Sequence, residues 1–238
     1  MASFAESISA KLAWVSLRLA CRLALRRIDL HIEGLSHIPR QGPAILAARH
    51  FHHLWDGCAL IATLPRPLRV VVALDWLEGR ASGRLMAAAC GAAGWPVVPR
   101  PEEQGDRRNA ESLACLAARG RGRLLAATRE SISLLRADRM LLVFPEGYPT
   151  IDPHYTPKTA DDEILPFQPG FLRFAALAER DGVTRVPIIP VGLEYARGAR
   201  WQVTVRFGQA IEIDNSMDQL GQLPVIEQRV RELSGLAT

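Results

Sequence analysis

The stretch Ala44-Ile45-Leu46-Ala47-Ala48-Arg49-His50-Phe51-His52-His53-Leu54-Trp55-Asp56-Gly57 sets the architecture of the chain. Its first five residues are apolar without alternation and follow the turn Gln41-Gly42-Pro43, the pattern of a short strand buried on both faces. A histidine-rich segment follows at once, and Cys58–Thr63 then reads as a helix. Upstream, Leu30–Glu33 closes at Gly34. Downstream, Arg69–Ala73 reads as a second apolar strand, Ser82–Ala93 as a small-residue helix and Pro96–Pro99 as an extended piece. Glu102–Arg139 is helical and basic, with Gly120 and Gly122 predicting an internal break. Met140–Phe144 is an apolar strand stopped by Pro145, and a polar stretch, Ile151–Glu163, leads to a helix over Gly170–Arg180. Pro187–Val191 and Gln202–Phe207 read as strands, and Val225–Leu233 as a closing helix. Strands alternating with helices, with no linker between them, predict one α/β domain: a mixed, largely parallel sheet flanked by helices, preceded by an N-terminal amphipathic helix.

That first helix runs from about Phe4 to Arg27, so residues 1–29 form an appendage to the domain at 30–238. Lys11, Arg18, Arg22 and Arg26 recur at spacings of seven, four and four, which gathers them on one face. Ile8, Leu12, Val15, Leu19 and Leu23 follow helical spacing on another, with Trp14 nearby. Two readings stay open: a helix lying at a lipid surface, or one packed on the domain with its charges in water. Nowhere do 18 apolar residues run uncharged, so no transmembrane helix is predicted, and the arginines argue against a secretory signal.

An apolar fraction of 48% and a charged fraction of 23% are ordinary globular values that make a folded domain the expectation, and 238 residues suffice for one sizeable core. The net charge of +4 and pI of about 9.2 suit anionic lipid or phosphate without demanding nucleic acid. Cys21, Cys58, Cys90 and Cys115 show no paired spacing and read as buried small residues of a reducing compartment.

The chemistry concentrates after the Ala44–Ala48 strand, where three of the six histidines and Asp56 cluster. Imidazole removes a hydroxyl proton near neutral pH, and a carboxylate on its other nitrogen fixes the tautomer and steadies the imidazolium. The same residues admit a second reading as metal ligands, His50-x-His52-His53 with Asp56. That run lacks the Asp-His adjacency of metallo-β-lactamase-like hydrolases and leaves only His154 downstream. Phe144-Pro145-Glu146-Gly147 ends a buried strand in a turn that should expose Glu146 and backbone N–H groups at the same sheet edge. Gly94-Trp95-Pro96-Val97-Val98-Pro99-Arg100 ends in a guanidinium able to grip a phosphate. Pro187 and Pro190 within Val186–Gly192 imply an edge strand or a bulge.

In this order, from about Leu30 to Ile213, the four segments resemble the signature blocks of the glycerol-phosphate and lysophospholipid acyltransferase family. Phe167-Gln168-Pro169-Gly170 resembles a further block of that family, Phe-Lys-x-Gly. The resemblance implies a 1-acylglycerol-3-phosphate O-acyltransferase-like enzyme of phospholipid biosynthesis, moving a fatty acyl group from acyl-CoA or acyl carrier protein to a lysophosphatidate-like hydroxyl. It implies a histidine general base held by Asp56. Phe144, Pro145, Glu146, Gly147 and Arg100 would lie at the acceptor's phosphate end, and Pro187, Pro190 and Val191 on the acyl-donor side. It implies no metal and no cofactor beyond the thioester, no nucleic-acid partner, and a peripheral place on the cytoplasmic face of a membrane. Direct attack needs no G-x-S-x-G elbow, and the sequence has none.

Two departures stand out: Arg49 replaces the family asparagine, and five residues rather than four separate His50 from Asp56. Counted from the upstream strand, His50 matches the base; counted back from Asp56, His52 stands at i−4 and is its rival. Glu102–Thr128 is also longer than the family pattern, and a decayed, purely lipid-binding relative is a third possibility.

Overall fold

Short parallel strands cannot be joined by tight turns, so each must be followed by a crossover, usually a helix. A computed structural model describes residues 2–73, 88, 90, 91, 93–98, 110–153, 155–213 and 219–236, with the backbone alone for 2–11, 110–121 and 219–220. In chain order the elements are α1 (Ala2–Ala24), β1 (Ile28–Glu33), β2 (Ala44–Ala48), α2 (Trp55–Thr63), β3 (Leu68–Val70), β4 (Val72–Ala73) and β5 (Val97–Val98). Then follow α3 (Ala110–Arg136), β6 (Met140–Val143), α4 (Gly170–Glu179), β7 (Ile188–Ala196), β8 (Trp201–Phe207) and α5 (Leu223–Leu233). The main sheet has the order β1-β8-β7-β2-β6-β3, parallel throughout except for the β7–β8 pair. The α/β class and the largely parallel sheet match the expectation from sequence.

Because successive side chains point to opposite faces, β2 feeds two cores at once. Leu46 and Ala48 join Met140, Leu142, Ile189 and Val191 beneath Cys21 and Leu25 at the α1 end and Leu60 of α2. Ile45 and Ala47 join Leu141, Val143 and Ile188 beneath Leu135 of α3, Leu172 of α4 and Val230 of α5. The all-apolar run is thus the middle layer of three. Cys21, Cys58 and Cys90 are buried free thiols, and contact with Cys21 together with burial pushes the Cys58 thiol upward.

Three local expectations are corrected. Arg69–Ala73 is not one strand. Val71 still donates its N–H to Leu142 (2.9 Å), but Val72 turns to Pro96 (3.0 Å), and β4 pairs with β5 in a separate two-stranded sheet. Gly120 and Gly122 do not break α3, which runs through both. Each glycine costs about 1 kcal/mol in a helix interior, and burial of Ala127, Ser131 and Leu135 on one face of the next two turns holds the helix against that cost.

Nor is the proline strand an edge. β7 lies between β8 and β2, and its register against the returning chain slips by one residue, from Val191↔Phe207 to Ile188↔Ile211. Pro190 sits in that slip, where its carbonyl accepts from Gly208 N–H (2.9 Å) and its missing N–H interrupts no ladder. Ser82–Ala93 falls largely outside the described residues.

Gly192 in β7 fixes how close α5 can come, since a Cβ there would lie 2.2 Å from the Leu233 carbonyl carbon. Gly192→Ala should therefore destabilise the domain by about 2–3 kcal/mol through backbone displacement, read as a lower urea midpoint at unchanged slope.

Candidate active site

Parallel register alone brings three of the sequence segments together. β2 pairs with β6 at Ala47↔Val143 and with β7 at Ala48↔Val191. The residues that follow β2 and β6, Arg49–His50 and Phe144–Gly147, therefore emerge side by side at the carboxyl edge of the sheet, where α/β folds seat their ligands. Asp56 reaches them from the first turn of α2, the positive end of that helix.

The centre of the site is the Asp56 carboxylate, fully buried. Oδ2 lies 2.8 Å from His50 Nδ1 and accepts the N–H groups of Phe51 (2.7 Å) and His52 (2.9 Å). Oδ1 accepts the Tyr195 hydroxyl at 2.5 Å. Burial, and then the neighbouring Asp56 charge, hold the Tyr195 phenol well above its usual range, so it stays a donor. With the carboxylate on Nδ1, that nitrogen carries the proton and Nε2 keeps a free lone pair. The His50 ring stacks on Phe144 at 4.1 Å, and its side chain is 13% exposed. Across the five residues between His50 and Asp56, the N–H groups of Phe51 and His52 both point to this same oxygen, and the turn into α2 follows at His53 and Leu54.

His52 is built differently. Its Nδ1 accepts the N–H groups of Leu54 (3.2 Å) and Trp55 (3.3 Å) at the start of α2, and its ring stacks on Trp55 at 3.9 Å. Burial first, then the adjacent His53, push its pKa down to about 4. His53 turns to the Ile151 carbonyl. Among the described residues no three His, Cys, Asp or Glu side chains converge as a metal-binding group; His154 lies outside them.

Glu146 is not exposed by its turn, as the sequence suggested, but buried behind the histidine. Oε1 accepts His50 N–H (2.7 Å), and Oε2 accepts Leu165 N–H (3.0 Å) and pairs with Lys158 Nζ (2.5 Å). Both oxygens thus have partners within the protein. Gly147 makes the turn possible at φ 78°, and Pro145 is buried with its carbonyl on Gln168 N–H. Arg49 is buried too. Its guanidinium donates to the carbonyls of Leu193 (3.0 Å) and Asp161 and lies over the Phe51 ring, while Nε has no partner. Val191 and Pro190 are buried within the sheet, Val191 holding Arg49 N–H by its carbonyl, and Pro187 is half-buried at its start. Arg100 lies outside the described residues.

Sequence reasoning missed Tyr195 and Lys158. Tyr195 stands four residues past Val191, on the same face at strand period, so it was readable in principle. Lys158, inside a polar stretch without periodicity, carried no such signal.

A histidine tied through Nδ1 to a buried carboxylate thus stands at the carboxyl edge of a mostly parallel sheet, in a sequence without a serine elbow. The acyltransferase family model matches residues 29–194, and the chain belongs to the acyltransferase family. Its fold is similar to that of the 1-acyl-sn-glycerophosphate (LPA) acyltransferase PlsC from Thermotoga maritima, with a TM-score of 0.65 and 16% identity over 97% of this chain and 81% of that one. No curated protein matches it significantly.

The depressed His52 has a measurable consequence. Unfolded, it binds a proton near pH 6.5; folded, not until about pH 4. Its contribution to stability is therefore complete above pH 6.5 and lost as pH falls towards 4. In His52→Asn, the loss of stability between pH 6.5 and 4 should be shallower than in the parent, measured by urea titration at each pH.

Proposed function

We propose that the chain moves a fatty acyl group from acyl-CoA or acyl carrier protein to the free hydroxyl of a lysophosphatidate-like acceptor, as a step of phospholipid biosynthesis, with His50 as general base. The observation that carries this reading is the His50 Nδ1–Asp56 Oδ2 contact of 2.8 Å, which leaves Nε2 as the proton acceptor of a ring that is 13% exposed. In the reaction Nε2 takes the acceptor's hydroxyl proton as its oxygen attacks the thioester carbonyl. An ester C–O bond forms, the C–S bond breaks, and the proton passes from the imidazolium to the leaving thiolate. Asp56 holds the ring through Nδ1. Arg100 is assigned to the acceptor's phosphate, and the thioester is the only co-substrate.

The test is a panel of lyso-acceptors with acyl-CoA and acyl carrier protein donors. His50→Ala should lower kcat by about 10²- to 10⁴-fold, whereas His52→Ala, which loses two helix-start bonds and its stacking on His53 and Trp55, should keep most of its activity. Full turnover in His50→Ala would overturn the assignment. Activity abolished by chelator and restored by zinc would point instead to metal-dependent hydrolysis.

The enzyme is further proposed to sit peripherally on the cytoplasmic face of a membrane through α1. That helix packs on the domain by Trp14, Leu17 and Cys21 and leaves Leu12, Val15, Leu19 and Leu23 between 56% and 62% exposed, with Arg22 exposed beside them. An apolar stripe in water beside cationic side chains favours an anionic lipid interface. Among the described residues no helix is long and apolar enough to cross a membrane. Replacing Leu12, Val15, Leu19 and Leu23 by serine should abolish co-sedimentation with phosphatidylglycerol vesicles without changing the fold's circular dichroism. Unchanged binding would remove α1 from the interface.

A further inference from the structure

We infer that Lys158, in the polar segment 151–163, is a positioning residue that fixes the backbone of His50 through a buried ion pair with Glu146. The inference rests on the acyl-transfer reading above and adds to it a residue from outside the four sequence segments. β2 ends at Ala48, so the N–H and carbonyl of His50 lie beyond the strand. Glu146 Oε1 accepts the N–H at 2.7 Å, and Lys158 Nζ donates to the His50 carbonyl at 2.7 Å. The two side chains close the ring between them at 2.5 Å, and both are wholly buried. One residue is therefore held on both sides by a single pair. The carbonyl is also bonded by Thr150 N–H at 3.2 Å.

Lys158 has three donors, and three acceptors meet them: Glu146, the His50 carbonyl and Thr150 Oγ1 at 3.3 Å. Burial works against its charge, and Glu146 opposes that effect. A buried ion pair contributes little net stability compared with apolar residues of the same volume, so stability alone does not explain it. Position does. A proton-abstracting nitrogen must be held within about 0.5 Å and 10–20° of its productive geometry. The His50 ring is fixed by Asp56 and Phe144, but its Cα is fixed by this pair. The segment that supplies Lys158 is tied down a second time, where Arg49 donates to the Asp161 carbonyl.

The test compares Lys158→Met, Lys158→Arg and the double variant Lys158→Met with Glu146→Gln in the full chain. A displaced imidazole should cost Lys158→Met about 10- to 100-fold in kcat with the acceptor KM changed less than about threefold, and Lys158→Arg should recover part of the loss. The double variant removes both charges of the pair, so it should regain part of the melting temperature lost in Lys158→Met but not kcat. The inference is overturned by full kcat in Lys158→Met, by a double variant that recovers kcat together with melting temperature, or by a rise in KM at constant kcat, which would make Lys158 a substrate ligand. The His50 Nδ1 proton resonance is followed in parallel by NMR and should shift or broaden in Lys158→Met. If the parent protein transfers no acyl group, the functional reading fails by itself, and an unperturbed resonance would then separately overturn the positioning role.

Discussion

The carboxylate of Asp56 organises everything around it. Buried at the amino end of a helix, it would be prohibitively costly to keep ionised without donors, and the fold supplies four. Those donors come from three parts of the chain: the end of the central strand, the bend behind it and the far strand that carries Tyr195. Satisfying one buried charge therefore fixes the position of the imidazole, the entry into α2 and the seating of the aromatic side chains behind them. Phe51 stacks on Tyr195 at 4.2 Å, and both lie edge-on to Trp201. The polar centre thus rests on an apolar floor that keeps water from competing for Asp56.

A second buried charge pair, Glu146 with Lys158, stands on the other side of the same histidine. The two systems do different work. Asp56 acts on the ring, and Glu146 acts on the main chain. Parallel pairing makes this possible, because strands side by side deliver their following residues to one edge in fixed register. Lys158 arrives from a segment with no place in the sheet, and Arg49 secures that segment from the strand side.

How much of this the sequence revealed follows from which signals are local. An uninterrupted apolar run such as Ala44–Ala48 announces a two-faced burial, so the central strand and the α/β class were legible. The same rule misled at Arg69–Ala73, because apolarity does not record the change of partner at Val71. Pro190 signalled a bulge or an edge, and only the neighbouring strand decides which. Counting could not separate His50 from His52, since both are near Asp56 in the chain; what distinguishes their rings is where each Nδ1 finds its partner. Glu146 looked exposed because a turn is usually exposed, and its burial depends on a lysine twelve residues away that no periodicity marks.

The N–H groups of Phe51 and His52 also bear on how histidine and aspartate are joined. Two main-chain N–H groups, rather than particular side chains, close the gap between histidine and aspartate there, so the carboxylate accepts whatever backbone is presented to it. In this chain the interval between the two residues is set by where the strand ends and where the helix starts, and main-chain donors fill it whatever side chains stand there.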